Sequence, residues 1–161
     1  MANEILDKQG TQINWGSNGG ETETLTLASL ANAAGRMGEE HDFGATHAAR
    51  WRWYLRLDFA VAPTLGKTFQ LYFAWSHDGA IYDGEVSGAD GALADVDQLP
   101  RLHWVGNLVC DDDTDPQYAG GVMYAQSRYG VPVVYNDSGQ ALTAATADQE
   151  LILEPWPVEV Q

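Results

Sequence analysis

The segment from Arg50 to Phe59 alternates between apolar and polar side chains without a break. Its apolar positions are Trp51, Trp53, Leu55, Leu57 and Phe59. Because side chains alternate across a strand, the segment predicts a half-buried β-strand with one dry and one solvated face. Burying three aromatic rings and two leucines corresponds to an upper bound of roughly 15–20 kcal/mol of gross hydrophobic stabilisation. Any fold of this chain must therefore cover that apolar face.

The same two-residue period returns in residues 67–76, where the apolar positions are Phe69, Leu71, Phe73 and Trp75. A loop containing Pro63 and Gly66 separates this segment from the first one. Two such segments joined by a short loop predict neighbouring antiparallel strands, and their aromatic faces would pack cross-strand.

Shorter segments predict the remaining strands, at residues 11–15, 21–27, 101–110, 119–128, 131–135, 141–143 and 150–154. In 101–110 the inward face is expected to carry Leu102, Trp104, Leu108 and Cys110. Residues 28–34 fit a helix and an extended segment equally well. Residues 77–100 are rich in turn signals and predict a long surface excursion with one helical turn near 92–97.

About eight strands separated by turn signals predict an all-β fold. We expect an antiparallel β-sandwich of the jelly-roll type, with at most one or two short helical turns. Residues 1–20 are expected to form an N-terminal arm and a first short strand, and residues 21–161 one sandwich domain.

The chain is strongly acidic, with 8 basic and 23 acidic residues and a formal net charge of −15. Bare nucleic acid would repel such a protein, so we expect no nucleic-acid partner. Yet three of the basic residues lie on the solvated face of the first strand. They either pair with acids across the sheet, each exposed pair contributing on the order of 0–1 kcal/mol, or they face a protein partner, since arginine is enriched at interfaces.

The second alternative defines a candidate partner interface. Apolar residues of the N-terminal arm and a tryptophan between two prolines are further anchors for contacts with other proteins. The candidate interface comprises Ile5, Leu6, Arg50, Arg52, Arg56 and Trp156.

The sequence predicts synthesis in a reducing compartment without membrane insertion. Cys110 is the single cysteine and is expected to be buried and inert. Residues 1–8 lack the features of a signal peptide, and no apolar run approaches the roughly 20 residues of a membrane span.

Candidate catalytic or metal-binding patterns are weak, and we expect neither an enzyme nor a cofactor. The four histidines, His41, His47, His77 and His103, have no spacing typical of a metal site or a triad. Residues 111–115 contain four aspartates and predict a solvated turn, with a calcium loop as the alternative. Tyr54, Tyr72 and Tyr82 are the tyrosines most available for stacking on sugar rings.

Several segments of the chain, in order, resemble small virion proteins of tailed double-stranded DNA bacteriophages. They are Leu25–Arg36, the long alternating strand, Ala62–Thr64, Leu71–Ala74 up to Asp78–Gly79, Pro132–Leu142 and Leu151–Pro157. The heavy use of tryptophan and the long 80–100 excursion depart from that family and leave the position in the particle open.

The resemblance implies a jelly-roll structural protein without a catalytic motif. We expect a capsid decoration, or cement, protein, made in the host cytoplasm and placed on the outer surface of the virion head. Its expected partners are the major capsid protein and two further copies of itself. A net charge of −15 favours the outside of the shell over contact with packaged DNA. The alternatives are a tail or neck connector, a fibre-base component, or a carbohydrate-binding head fibre module.

Overall fold

The alternating segments do form β-strands in the computed structural model, which describes residues 11–156. The strands are β1 (Ile13–Gly16), β2 (Glu23–Thr24), β3 (Ala34–Met37), β4 (His41–Asp42), β5 (Arg50–Leu57), β6 (Thr68–Ser76), β7 (Gly91–Ala92), β8 (His103–Val109), β9 (Gln117–Tyr124), β10 (Tyr129–Asp137) and β11 (Glu150–Pro155). Two short 3₁₀ segments, η1 (Asp83–Glu85) and η2 (Val96–Arg101), interrupt them.

The strands form two sheets that pack face to face. Sheet A has the order β2-β1-β11-β5-β9, and sheet B has the order β7-β3-β10-β6-β8, with β4 also pairing with β10. Among the eight strands of four or more residues, the first pairs with the last, the second with the seventh, the third with the sixth and the fourth with the fifth. This is the strand order of a rolled-up hairpin, and it confirms the predicted antiparallel jelly-roll sandwich with short helical turns.

The predicted pairing of the two aromatic strands is wrong. β5 pairs with β11 and β9 in sheet A, whereas β6 pairs with β10 and β8 in sheet B. Residues 58–67 between them cross from one sheet to the other. This connection is longer than the usual hairpin loop of about two to five residues. The two aromatic faces therefore meet across the sandwich rather than side by side.

The apolar positions of both strands fill the space between the sheets, as their alternation predicted. Trp53 makes the closest fit, because its indole ring lies against glycines of two other strands. A Cβ atom added at Gly106 would lie 2.5 Å from its Cζ2, and one added at Gly121 would lie 2.7 Å from its Nε1. These two positions accept only glycine while the ring keeps its place.

A second, smaller core lies on the outer face of sheet B. Residues 77–102 pack over this face and form a segment that we call the cover. The apolar side chains that the cover buries against sheet B are Tyr82, Val86, Leu93, Leu99 and Leu102. Beneath them lie Val131 and Val133 of β10, both fully buried. The predicted excursion is therefore a structural layer, and the helical turn predicted near 92–97 lies later in the chain, at η2 (Val96–Arg101).

Polar contacts fix the cover to the sheet. Arg36 of β3 forms an ion pair with Asp90, and its Nε donates to Asp90 Oδ1 at 3.1 Å. The backbone N–H of Thr26 donates to the same oxygen at 3.0 Å. Burial alone would raise the pKa of Asp90, but the hydrogen bonds from Arg36 and Thr26 outweigh it and lower that pKa.

Four local predictions need correction. Of the residues predicted to point inward in 101–110, Leu102 and Trp104 instead lie on the outer side of sheet B. Leu102 is buried in the second core and Trp104 is 57% exposed, because the pairing of β8 with β6 shifts register between Leu71 and Tyr72 and reverses the alternation. Residues 28–33 form turns rather than a helix or a strand, and residue 34 begins β3. Residues 141–143 contribute a single bridge, and the strand predicted for residues 21–27 shortens to β2.

Candidate partner-binding surface

The solvated side of β5 lies on the outer face of sheet A. The register places Arg52 beside Val122 and Glu154, and it places Arg56 beside Tyr118 and Glu150. No segment among residues 11–156 covers this face as the cover does sheet B, and Tyr118 remains 67% exposed. The result is an open sheet face lined with arginine and tyrosine.

Arg50 and Arg52 lie against Trp156 at one end of this face. Each guanidinium carbon is 4.3 Å from the centroid of the Trp156 ring. Trp156 is held in place because its backbone N–H donates to the Arg50 carbonyl at 2.9 Å. The structure thus joins three of the predicted interface residues into one group, the arginine–tryptophan cluster.

Arg56 belongs to a different environment at the other end of the face. It forms ion pairs with Asp148 and, at 3.9 Å, with Glu150. Its guanidinium carbon lies 5.7 Å from the centroid of the Tyr118 ring. Pairing with acids, one of the two alternatives for the three arginines, is therefore found for Arg56. Arg50 and Arg52 form no salt bridge with any described residue.

A groove of about 410 Å³ runs beside Arg56. Its lining includes Tyr54, Arg56, Tyr118, Ala119, Glu150 and Ile152. We call it the tyrosine groove. Of the three tyrosines predicted to be available for stacking, only Tyr54 is exposed. Tyr72 is half-buried and donates its hydroxyl to Gln70 at 2.6 Å, and Tyr82 lies beneath the cover. Sequence reasoning missed Tyr118.

His41 and His47 line a second pocket of about 390 Å³, together with Phe43 and Trp51. His41 Nδ1 is 2.7 Å from Glu23 Oε1, and His47 Nδ1 is 2.9 Å from the Gly44 carbonyl. Both rings also contact Phe43 edge-on or tilted. The two histidines therefore support local structure as half-buried side chains.

The other histidines and the acidic loop lie apart from that pocket. His77 is exposed, and His103 Nδ1 lies 2.8 Å from Gln126 Nε2. Asp111 Oδ1 accepts a hydrogen bond from the Asp113 backbone at 3.0 Å, so this carboxylate stabilises its own turn. Within residues 11–156 no group of three or more histidine, cysteine or acidic side chains could hold a metal ion.

Cys110 is buried, as predicted, with 1% of its surface exposed. Burial, followed by the charges of Asp111 and Asp137, raises the pKa of its thiol to about 11. A thiol with this pKa is protonated at neutral pH and is a poor nucleophile.

The remaining predicted interface residues, Ile5 and Leu6, lie outside the described residues. Residues 11–156 contain no helix with the length and apolarity that a membrane crossing requires. No protein-family model matches the chain, and a search of curated proteins finds no match either.

Proposed function

We propose that the protein is a bacteriophage virion structural protein that decorates the outer surface of the head and bridges neighbouring major capsid protein subunits, acting as a homotrimer. The observation that carries this proposal is the state of the two arginines in the arginine–tryptophan cluster. They are the two arginine or lysine side chains of the described region that form no salt bridge with another described residue.

The other described basic residues all pair with acids of the same chain. The pairs are Arg36–Asp90, Arg56–Asp148, Lys67–Asp137, Arg101–Glu85 and Arg128–Asp42. In a chain with 23 acidic residues, a basic side chain is expected to form a salt bridge. Arg50 and Arg52 instead keep most of their N–H donors available to the carboxylates of a partner.

The cluster also has the properties of a protein-binding anchor. Arginine, tryptophan and tyrosine are the residue types that dominate binding energy at interfaces. Stacking against Trp156 holds the two guanidinium groups in one arrangement before a partner arrives, which lowers the entropy lost on binding. An acidic patch on the capsid protein is the complementary surface.

A decoration role fits this anchor and the rest of the surface. Contacts that are modest singly become strong when symmetry repeats them over a shell. The acidic remainder of the surface keeps the outer side of the particle solvated. The resemblance of several segments to small virion proteins supports the same assignment.

The test is co-sedimentation of the purified protein with phage heads that lack it. We expect saturable binding with a copy number comparable to that of the capsid subunits. The double substitution Arg50→Ala/Arg52→Ala should weaken binding at least tenfold and reduce its dependence on salt. Arg101→Ala is the matched control, because that exposed arginine is paired with Glu85 outside sheet A.

Three results would contradict the proposal. Absence of co-sedimentation at any salt concentration would exclude head decoration, and a copy number of a few per particle would favour a neck or tail position. Heads without the protein should also rupture more readily on heating or osmotic shock. If heads with and without the protein are equally stable, the protein does not act as a cement.

A further inference from the structure

We propose that the tyrosine groove is a binding site for a neutral sugar, a pyranose ring of a glycan. This site lies on the Arg56 end of sheet A, whereas the proposed capsid contact uses the arginine–tryptophan cluster at the other end. The inference does not depend on the proposed function.

The floor of the groove is an aromatic platform. Tyr54 stands opposite Gly120 in the β5–β9 pairing. A Cβ atom at Gly120 would lie 3.4 Å from Tyr54 Cδ1 and 3.8 Å from Cε1, so the ring lies against the glycine. Tyr54 is nevertheless 43% exposed, and Tyr118 stands diagonally across from it. The negative face of such a ring attracts the C–H groups of a sugar.

The edge of the groove supplies hydrogen-bonding groups of both kinds. Arg56 and Glu150 line it and offer donors and acceptors side by side. The two side chains are 33% and 29% exposed, so the outer N–H groups of Arg56 and the Glu150 carboxylate are accessible to a ligand. A sugar hydroxyl can accept from a guanidinium N–H and donate its own proton to the Glu150 carboxylate.

Charge selects a neutral ligand. The guanidinium of Arg56 is already balanced by the carboxylates of Asp148 and Glu150. With a net charge of −15 on the whole chain, phosphate, sulfate and nucleic acid would be repelled. A hydroxylated ring covers the tyrosines and hydrogen-bonds to the polar edge together, whereas an apolar side chain of a partner protein would take the exposed parts of Arg56 and Glu150 out of water without offering them hydrogen bonds.

The size of the groove agrees with a small ligand. Pockets for small molecules commonly enclose about 300–1,000 Å³ and combine an apolar lining with a few polar groups. The tyrosine groove encloses about 410 Å³ and has this composition. Since it is open on one side, a single ring would bind weakly, and presenting several copies of the chain together would add avidity.

The test uses the purified full-length chain and free hexoses. Saturation-transfer NMR with glucose, galactose, mannose and N-acetylglucosamine should show transfer from at least one sugar, with a Kd in the millimolar range. Tyr118→Ala and Tyr54→Ala should each reduce the affinity at least tenfold. Tyr124→Ala is the matched control, because Tyr124 is an equally exposed tyrosine of β9 outside the groove; its affinity should equal that of the wild type.

Circular dichroism and thermal unfolding verify that each variant is folded, and a glycan array with the oligomeric protein extends the search to longer chains. Two outcomes overturn the inference. One is that the wild type shows neither saturation transfer nor a glycan-array signal; the other is that Tyr124→Ala loses as much sugar affinity as Tyr54→Ala and Tyr118→Ala. Weaker head binding by Tyr54→Ala and Tyr118→Ala without any sugar binding would assign the groove to a protein partner instead. Failure of head binding alone leaves the sugar site intact, so the two proposals fail separately.

Discussion

The outer face of sheet B is covered by the chain itself, whereas the outer face of sheet A is exposed. On sheet B, β10 presents Val131 and Val133 outward, and the cover buries both completely. On sheet A, β5 presents Arg52 and Tyr54 outward, and both remain exposed. The two faces therefore differ in two respects: sheet B has apolar outward residues and the 77–102 segment that covers them, whereas sheet A has polar outward residues and no covering segment within residues 11–156.

The largest difference in the free energy of unfolding is expected between two matched substitutions, one on each face. Val133→Ala removes two methyl groups from beneath the cover and should lower the free energy of unfolding by about 2–3 kcal/mol. Val122→Ala changes the same side chain on the open face, where it is 42% exposed, and should change stability by less than about 0.5 kcal/mol. Urea unfolding measures both; equal losses would mean that sheet A is also covered in solution.

An intermediate effect is expected for the acid that fixes the cover. Asp90→Ala leaves the Arg36 guanidinium and the Thr26 N–H without their acceptor and should cost about 2 kcal/mol at pH 7. Because the pKa of Asp90 is lowered in the folded state, this stabilisation exists above the unfolded pKa near 4 and disappears as the pH falls through the folded value. The difference in the free energy of unfolding between the wild type and Asp90→Ala should therefore shrink below pH 4, which urea unfolding over a pH series measures.

Asp148→Ala is the control for that prediction on the open face. It removes the partner of Arg56, both side chains being about one-third exposed, and should cost less than about 1 kcal/mol. A loss of stability as large as that of Asp90→Ala would contradict the conclusion that sheet A is open and sheet B is covered.

The smallest effect is a gain in stability. Glu40 donates its backbone N–H to Gly88 of the cover, and its Oε2 is buried without a donor among the described residues. Burial, followed by the charges of Asp42 and Glu23, raises the pKa of Glu40. The ionised carboxylate thus opposes folding at neutral pH, and stability is lost as the pH rises through the folded pKa.

Glu40→Gln should therefore raise the melting temperature by a few degrees at pH 7 and leave it unchanged near pH 4, where the wild-type carboxyl is protonated. Glu154→Gln, at an exposed position of β11 on the open face of sheet A, should have no such effect. Scanning calorimetry at the two pH values decides between these outcomes.

Alternation along the chain predicted the fold class and the inward residues of β5 and β6, because period two is a local property. It did not predict which strands pair, since neighbours in a sheet and facing strands in a sandwich have the same local pattern. Trp104 was misplaced because a bulge is not visible in the pattern. The continuous apolar run 131–134 was a readable sign that β10 is buried on both faces.

The candidate surface was predictable in part. The arginines of β5 stood out because basic residues are rare in this chain. Their separation into two groups was not predictable, since Trp156 is brought to Arg50 by the pairing of strands more than 90 residues apart. Tyr118 escaped notice because Gly120 and Gly121 interrupt the alternation of β9.

The pairing of the first principal strand with the last has a practical consequence for particle engineering. Ile13 lies opposite Leu153, so both ends of the described chain leave sheet A on the side of the arginine–tryptophan cluster. A cargo peptide attached at residue 11 or 156, the ends of the described range, would therefore start beside the proposed capsid contact. The exposed loop around Asp112 joins β8 and β9 at the opposite end of β5 and is the better insertion point for peptide display.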